Sequence, residues 1–180
     1  MNTRRVVVAG DGNGNGTVVC DGPVPRTSVF DSYPGFSASL LWSSPPSPEV
    51  GAGLPVRDTT PQARFVPGPG GTCLMFVTFP PDTAMSRADF DPAAFGAECA
   101  ARLPGLAETF EADSPGMHTT DSIDYDVVLE GEITLDLGEG REVTLGRHEV
   151  CIQHGTRHAW RNRSRRPATM LFVLVGAARR

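Results

Sequence analysis

The 180-residue chain has no run of apolar residues approaching the ~20 of a membrane-spanning helix, and its first residues lack the apolar stretch and small-residue cleavage site of a secretory leader. A cytoplasmic protein without membrane contact is expected. Positive charge is not in excess: 16 basic residues stand against 21 acidic ones, for a formal charge of -5, so nothing draws the chain as a whole to nucleic acid. No helix-turn-helix pattern or basic recognition helix is present. The one basic cluster, Arg161 to Arg166, follows a strand and contains Asn162 and Ser164, so it reads as a solvated loop. A C-x-x-C pair is missing too. Cys20, Cys73, Cys99 and Cys151 are widely spaced and read as buried thiols rather than disulfides or zinc ligands. What remains is one core and a small-molecule partner.

The β-branched runs at residues 4–9 and 17–20 are separated by Asp-Gly-Asn-Gly-Asn-Gly, which predicts a hairpin. The following stretch to Pro69 is crowded with Pro, Gly and Ser and is expected to wander over the surface, with one strand-like piece at residues 37–42. A strand is predicted at residues 72–79, closed by Pro80 and Pro81. Between residues 92 and 111 the period changes. Phe95, Cys99, Leu103, Leu106 and Phe110 recur at three- and four-residue steps, while Pro104 interrupts them, so two short helices or a kinked one are expected, with the apolar stripe in the core.

After Gly116 the pattern is wholly β. Residues 124–129 form a strand, Gly131 turns the chain, and Ile133, Leu135 and Leu137 alternate with Glu132, Thr134 and Asp136. Short strands follow at residues 143–145 and 150–153, and residues 170–175 make a continuous apolar run suited to a strand covered on both faces. Close, regular spacing predicts a closed or sandwiched β architecture.

All four histidines, His118, His148, His154 and His158, lie in this last third. An extended segment turns His118, Thr120 and Asp124 to one face, and the Gly-Thr-Arg turn before His158 can aim a second imidazole into the same interior. Asp126 continues the parity of Asp124, as a second pocket carboxylate or a barrel-end residue. His154 lies on a turn and reads either as solvated or as a replacement ligand; His148 reads as surface. Tyr125 and Trp160 flank the site and are expected to pack the outer layer.

These residues resemble the cupin family, whose motifs run G-x5-H-x-H-x3-4-E-x6-G and G-x5-P-x-G-x2-H-x3-N. Counting back from Gly131, Asp124 takes the Glu position, Thr120 the second His and His118 the first. In the second motif Gly155, His158 and Asn162 are in place; Gln153 stands where Pro is usual, and the opening Gly is displaced to Gly146 or lost. The resemblance implies a mainly β fold, a double-stranded β-helix (jelly-roll barrel) with an N-terminal β extension and a short helical segment before the barrel motif. The division expected is a hairpin and Pro/Gly-rich arm over residues 1–70 and a barrel over residues 71–180, carrying a helical insertion at about residues 92–111.

For function the resemblance implies that His118, Asp124 and His158 form the site, as ligands of a divalent metal (Zn, Fe, Ni or Mn) and as catalytic groups, with Thr120 and Asp126 binding substrate. A metal-free pocket stays open, in which an imidazole serves as acid or base. The leading expectation is an enzyme of lyase or isomerase type acting on an oxygenated organic or natural-product substrate. The alternatives are an Fe(II)-dependent oxygenase with two His and one carboxylate, and a non-catalytic binding or sensing barrel. A homodimer is expected, because the N-terminal strands have no evident partner within one small barrel.

Overall fold

The computed structural model describes residues 3–51 and 53–180. Eleven strands are found among them, and the order of the last ones makes a barrel of two facing sheets. The hairpin forms where its turn chemistry predicts: β1 (Arg4–Gly10) pairs antiparallel with β2 (Gly16–Pro23), and Gly12 and Gly14 take the positive φ of the connecting loop. Then come β3 (Arg26–Val29), β4 (Ser37–Ser44) and β5 (Thr72–Phe79). Helix α1 (Pro92–Arg102) follows, and the remainder is β6 (Ser122–Glu130), β7 (Glu132–Asp136), β8 (Glu142–Gly146), β9 (Val150–His154), β10 (Ala159–Arg161) and β11 (Ala168–Gly176).

Six strands in the order β3-β4-β5-β11-β6-β9 form the large sheet, and β10-β7-β8 form the small one. This is the expected jelly-roll barrel. Alternation places Leu40, Met75, Val128, Met170, Phe172 and Leu174 on the inner face of the large sheet, where all are buried, against Ile133 and Leu135 of the small sheet. Asn162, only 1% exposed, pins the β10–β11 loop: its Nδ2 donates to the carbonyls of Phe79 (2.8 Å) and Arg166 (2.7 Å). Around it the basic cluster is less free than expected, since Arg161 pairs with Asp136 at 3.2 Å and both side chains are mostly buried.

Helix α1 starts with Asp91, whose Oδ1 accepts from the backbone N–H of Ala93 (2.8 Å) and Ala94 (3.2 Å), and with Pro92 in the first turn. It ends before Pro104, and a short 3₁₀ turn, Ala107–Thr109, completes the broken helical segment. Its Phe95 packs among Phe30, Tyr33, Phe36 and Phe90, closing one end of the core.

One expectation about the N-terminal part is corrected. The strand expected at residues 37–42 is β4, but the segment before it is not a surface arm: β3 pairs antiparallel with β4, and β4 with β5, so residues 26–44 extend the large sheet. Composition marked residues 26–29 as loop because Pro and Gly lie close on both sides, but pairing with a preformed neighbour outweighs local propensity. The hairpin does not add to a sheet edge. Among the described residues β1 and β2 pair only with each other, and the hairpin lies over the outer face of β4 and β5, bordering a groove of about 370 Å³ with Leu41, Trp42, Leu74 and Phe76. Arg5 anchors it, donating to the Leu41 carbonyl (3.1 Å), pairing with Asp58 (2.5 Å) and covering the Trp42 ring.

No helix among the described residues is long and apolar enough to cross a membrane.

Candidate functional site

Strand β6 builds one wall of the site. Its alternate residues Ser122, Asp124, Asp126 and Val128 all face inward and all are buried. The register with β9 sets Gln153 opposite Asp124 and Cys151 opposite Asp126, and the register with β11 sets Leu174 and Phe172 opposite the same two carboxylates. Asp126 is therefore a second interior carboxylate, 1% exposed, and not a barrel-end residue.

The two imidazoles come from segments outside the regular strands. His118 and His158 form an isolated antiparallel bridge, each backbone N–H donating to the other's carbonyl at 2.9 and 3.0 Å. That bridge brings the ring centroids to 4.3 Å, tilted by 51°. Each Nδ1 lies against a carbonyl of its own turn, His118 on Gly116 (3.0 Å) and His158 on Thr156 (2.9 Å). A carbonyl only accepts, so Nδ1 carries the proton in both rings and the lone pair is left on Nε2. Phe110 stands edge-on to His118. An Arg157–Glu111 pair, two contacts at 2.6 Å, straps the segment before His118 to the turn before His158.

Trp160 corrects an expectation. It lies two residues beyond His158, hence on the same face, with its ring 6.0 Å from His158 and 5.8 Å from Phe172. It packs inward and joins the imidazole pair to the carboxylate wall. Tyr125, 43% exposed, faces outward as expected, and His154 is exposed at the end of β9 opposite Ile123, outside the site. His148 is exposed in a turn at positive φ.

Hydrogen bonds hold half of the carboxylate wall. Thr120 Oγ1 donates to Asp124 Oδ2 (3.3 Å), Gln153 Nε2 donates to Asp126 Oδ2 (3.2 Å), and Thr156 Oγ1 donates to Gln153 Oε1 (2.8 Å). The other half is open: Ser122 Oγ, Asp124 Oδ1 and Asp126 Oδ1 are buried without a hydrogen-bond partner. Buried polar atoms of this kind are uncommon and call for a partner the protein itself does not supply. Sequence reading did not single out Ser122, and it noted Gln153 only as a departure from the second motif; strand parity from Asp124 marks Ser122, and the β6–β9 register places Gln153 in the site.

Burial decides the protonation states. It pushes the Asp126 carboxyl up to about 8, the neighbouring Asp124 charge adding to this and the Gln153 hydrogen bond opposing it. Asp124 is also raised by burial, against the pull of the Ser122 and Thr120 hydroxyls; Ser122 is near enough to soften the shift without making a hydrogen bond. Burial lowers His158 to about 4, with the adjacent His118 adding, and lowers His118 against the Gly116 carbonyl and Glu111. At neutral pH the interior therefore holds two neutral imidazoles and a protonated Asp126.

The three-ligand metal centre expected on His118, Asp124 and His158 is not formed. Among the described residues no three His, Cys, Asp or Glu side chains come together in an arrangement that could hold a metal ion. The bridge turns the imidazoles onto each other, while Asp124 shares its strand face with Asp126. A second groove, of about 480 Å³, lies between residues 64–69 and 177–179 and is also lined by Thr109, Thr119 and Asp121, the last two flanking Thr120 in sequence.

No protein-family model matches the chain. Among curated proteins it is 52% identical over 62 residues to "Phomopsin biosynthesis cluster protein C'" and to "Phomopsin biosynthesis cluster protein D" of Diaporthe leptostromiformis, covering 34% of this chain and 33% of each relative. It is 38% identical over 64 residues to "Oryzines biosynthesis cluster protein J" of Aspergillus oryzae, covering 35% of this chain and 36% of that one. With a "Cupin-domain-containing oxidoreductase" of Neurospora crassa it shares 40% identity over 60 residues, 33% of this chain and 31% of the relative. The matches span about a third of the length of these relatives. Among solved structures, the Cupin_2 domain of an XRE family transcriptional regulator from Enterobacter cloacae aligns at 16% identity and a TM-score of 0.34 over 61% of this chain and 83% of that one. A cupin superfamily protein from Desulfitobacterium hafniense aligns at 11% identity and 0.36, over 58% and 67%.

Proposed function

We propose that this chain, a member of the cupin superfamily, is a small-molecule enzyme of lyase or isomerase type that works by acid–base chemistry in its barrel. One observation carries the reading: the interior joins two imidazoles with proton-free Nε2 atoms to a carboxylate wall that holds a proton and three unpartnered oxygens. Titratable groups displaced by burial and gathered in one interior mark a reaction site more often than a packing accident.

The chemistry follows from the protonation states. A neutral imidazole, at Nε2, takes a proton from a carbon next to a substrate carbonyl while Asp126 gives its proton to the carbonyl oxygen; the product is an enol. Return of a proton to a different carbon makes an isomer, and departure of a β-hydroxyl as water makes an alkene. No oxidant is consumed. His118 and His158 share one base role, because protonation of either opposes protonation of the other. Ser122 Oγ and Asp124 Oδ1 offer contacts to substrate hydroxyls. The relatives from Diaporthe and Aspergillus, named as biosynthesis cluster proteins, support a substrate drawn from a biosynthetic pathway.

The second reading, an oxygenase, draws on the word oxidoreductase in the name of the Neurospora relative. It needs a metal held by His118, Asp124 and His158, and these three side chains do not assemble a donor set.

The test is proton exchange, which needs no knowledge of the final product. Enolisable hydroxyketones and hydroxyacids are incubated with the protein in deuterated water and followed by NMR. Exchange of the proton beside the carbonyl is expected with the native chain, unchanged by a chelator and reduced at least tenfold by His118→Ala and by His158→Ala. Exchange by neither native protein nor variants, or equal exchange by all, overturns the reading. Loss of exchange on chelation, with metal found by elemental analysis, favours the oxygenase.

A further inference from the structure

The pairing of β6 with β9 does not run on to the imidazoles. It ends at Ile123 opposite His154, and backbone contact resumes only at the isolated bridge between His118 and His158. Between these two points residues 119–122 of one segment face residues 155–157 of the other. Four residues cannot pair in step with three, so the ladder opens, as at a β-bulge, and carbonyls along the gap lose their partners across it. Gly155, at φ +55°, makes the turn on the shorter side.

Arg179 fills this gap from a third direction. It lies beyond β11 on a stretch tied to the gap by the Ala177 N–H, which donates to the Asp121 carbonyl at 2.8 Å. One guanidinium nitrogen, Nη2, donates to a carbonyl on each side, Thr120 at 3.0 Å and Gly155 at 3.3 Å, while Nε donates to Asp121 Oδ1. Among the described residues no backbone N–H reaches either carbonyl. The fit is close: a Cβ on Gly155 would stand 3.1 Å from the Thr120 oxygen and 3.2 Å from Arg179 Nη2. The Arg179 and Asp121 side chains are both about half exposed, so their attraction adds little to global stability. The contact with two carbonyls is what this side chain alone supplies.

We propose that Arg179 is a positioning residue for the imidazole pair, a role that rests on the acid–base reading of the interior. His118 lies two residues before Thr120, and Gly155 precedes Thr156, whose carbonyl holds His158 Nδ1 at 2.9 Å. Fixing the Thr120 and Gly155 carbonyls on one nitrogen fixes the width of the gap. With it are fixed the approach of the two rings, 4.3 Å between centroids, and the tautomer that leaves each Nε2 without a proton. Arg179 touches no reacting atom; it acts through the two turns that carry the bases. The groove of about 480 Å³ lined by Thr119, Asp121 and Arg179 opens its seat to solvent, so a small guanidinium compound can reach the place of a truncated side chain.

The full chain is followed by ring nitrogen NMR of labelled histidine, which reports the tautomer of each imidazole. His118 and His158 of the native chain are expected in the form protonated at Nδ1. In Arg179→Ala both signals are expected to move toward a mixture of tautomers, while the His148 signal and the melting temperature stay nearly unchanged. Millimolar ethylguanidinium is expected to return them. Gly155→Ala, whose methyl presses on the same seat, is expected to move the same two signals without a response to ethylguanidinium. In the proton-exchange reaction kcat is expected to fall about tenfold in Arg179→Ala, with KM little changed, and to recover with ethylguanidinium. Ring signals that stay in place in Arg179→Ala, a shift that merely follows a collapse of the melting temperature, or no recovery with ethylguanidinium overturns the proposal. A native chain without exchange activity overturns the acid–base reading alone, because the ring signals are read with no substrate present.

Discussion

Asp126 and His158 make stability depend on pH in opposite directions. The Asp126 carboxyl, ordinarily near 3.8, titrates at about 8 when folded, so the unfolded chain releases its proton first. Its neutral burial is fully favourable only below the unfolded value, and it disfavours the fold progressively as pH rises through that window, by up to ~1.4 kcal/mol per pH unit. His158 moves from 6.5 to about 4, so its burial as a neutral ring disfavours the fold as pH falls below 6.5. From about 4 to 6.5 the two slopes offset; from 6.5 to about 8 only the Asp126 slope remains. The melting temperature is expected to fall across that upper window in the native chain and to stay level in Asp126→Asn, as read by calorimetry at several pH values. The same group limits catalysis: exchange activity is expected to decline as pH rises through about 8, when Asp126 loses the proton it donates. Thr120→Ala removes a 3.3 Å hydrogen bond to Asp124, and a loss of about 1 kcal/mol in stability, with activity changed far less than by His158→Ala, is expected.

At the scale of elements, turns do much to place the site. Gly131, between β6 and β7, has φ +79°, and a Cβ there would come within 2.6 Å of the Pro167 carbonyl oxygen and 2.9 Å of Ala168 Cα. Both obstacles are backbone, so neither swings away. Gly131→Ala is expected to destabilise by more than the ~1 kcal/mol of the left-handed conformation alone, read by urea denaturation, and to disturb the pairing of β6 with β11. Helix α1 depends on a simpler contact. Asp91→Ala leaves its first N–H groups without the side-chain acceptor and is expected to cost about 1 kcal/mol. Among the described residues Asp91 makes no contact with the site, its side chain bonding only to the helix's own first turn, so activity at a temperature where the variant remains folded should be unchanged.

The whole molecule rests on the core between its two sheets, closed at one end by aromatic rings. Leu40 and Met170, both fully buried on adjoining regions of the large sheet, sit where truncation leaves a cavity. Leu40→Ala or Met170→Ala is expected to cost about 2–5 kcal/mol in denaturant unfolding.

Local pattern alone determined the strands after Gly116, the broken helix at Pro104 and the hairpin, because a period of two, a missing N–H and a Gly-Asn turn act over a few residues. It also brought His118 and His158 into view, through the spacing of their motifs. Spacing does not state distances. Whether Asp124 joins the imidazoles or pairs with Asp126 depends on which way a bridge outside the strands turns two rings, and tertiary pairing put the rings against each other. Gln153 enters the site only through the register of β6 with β9, and Trp160 faces inward because β10 follows His158 without a change of parity. The Pro-rich segment concealed β3, though not β4, for the same reason: strand pairing is a contact between distant residues, and its free energy is absent from any window of sequence that contains only one of the partners.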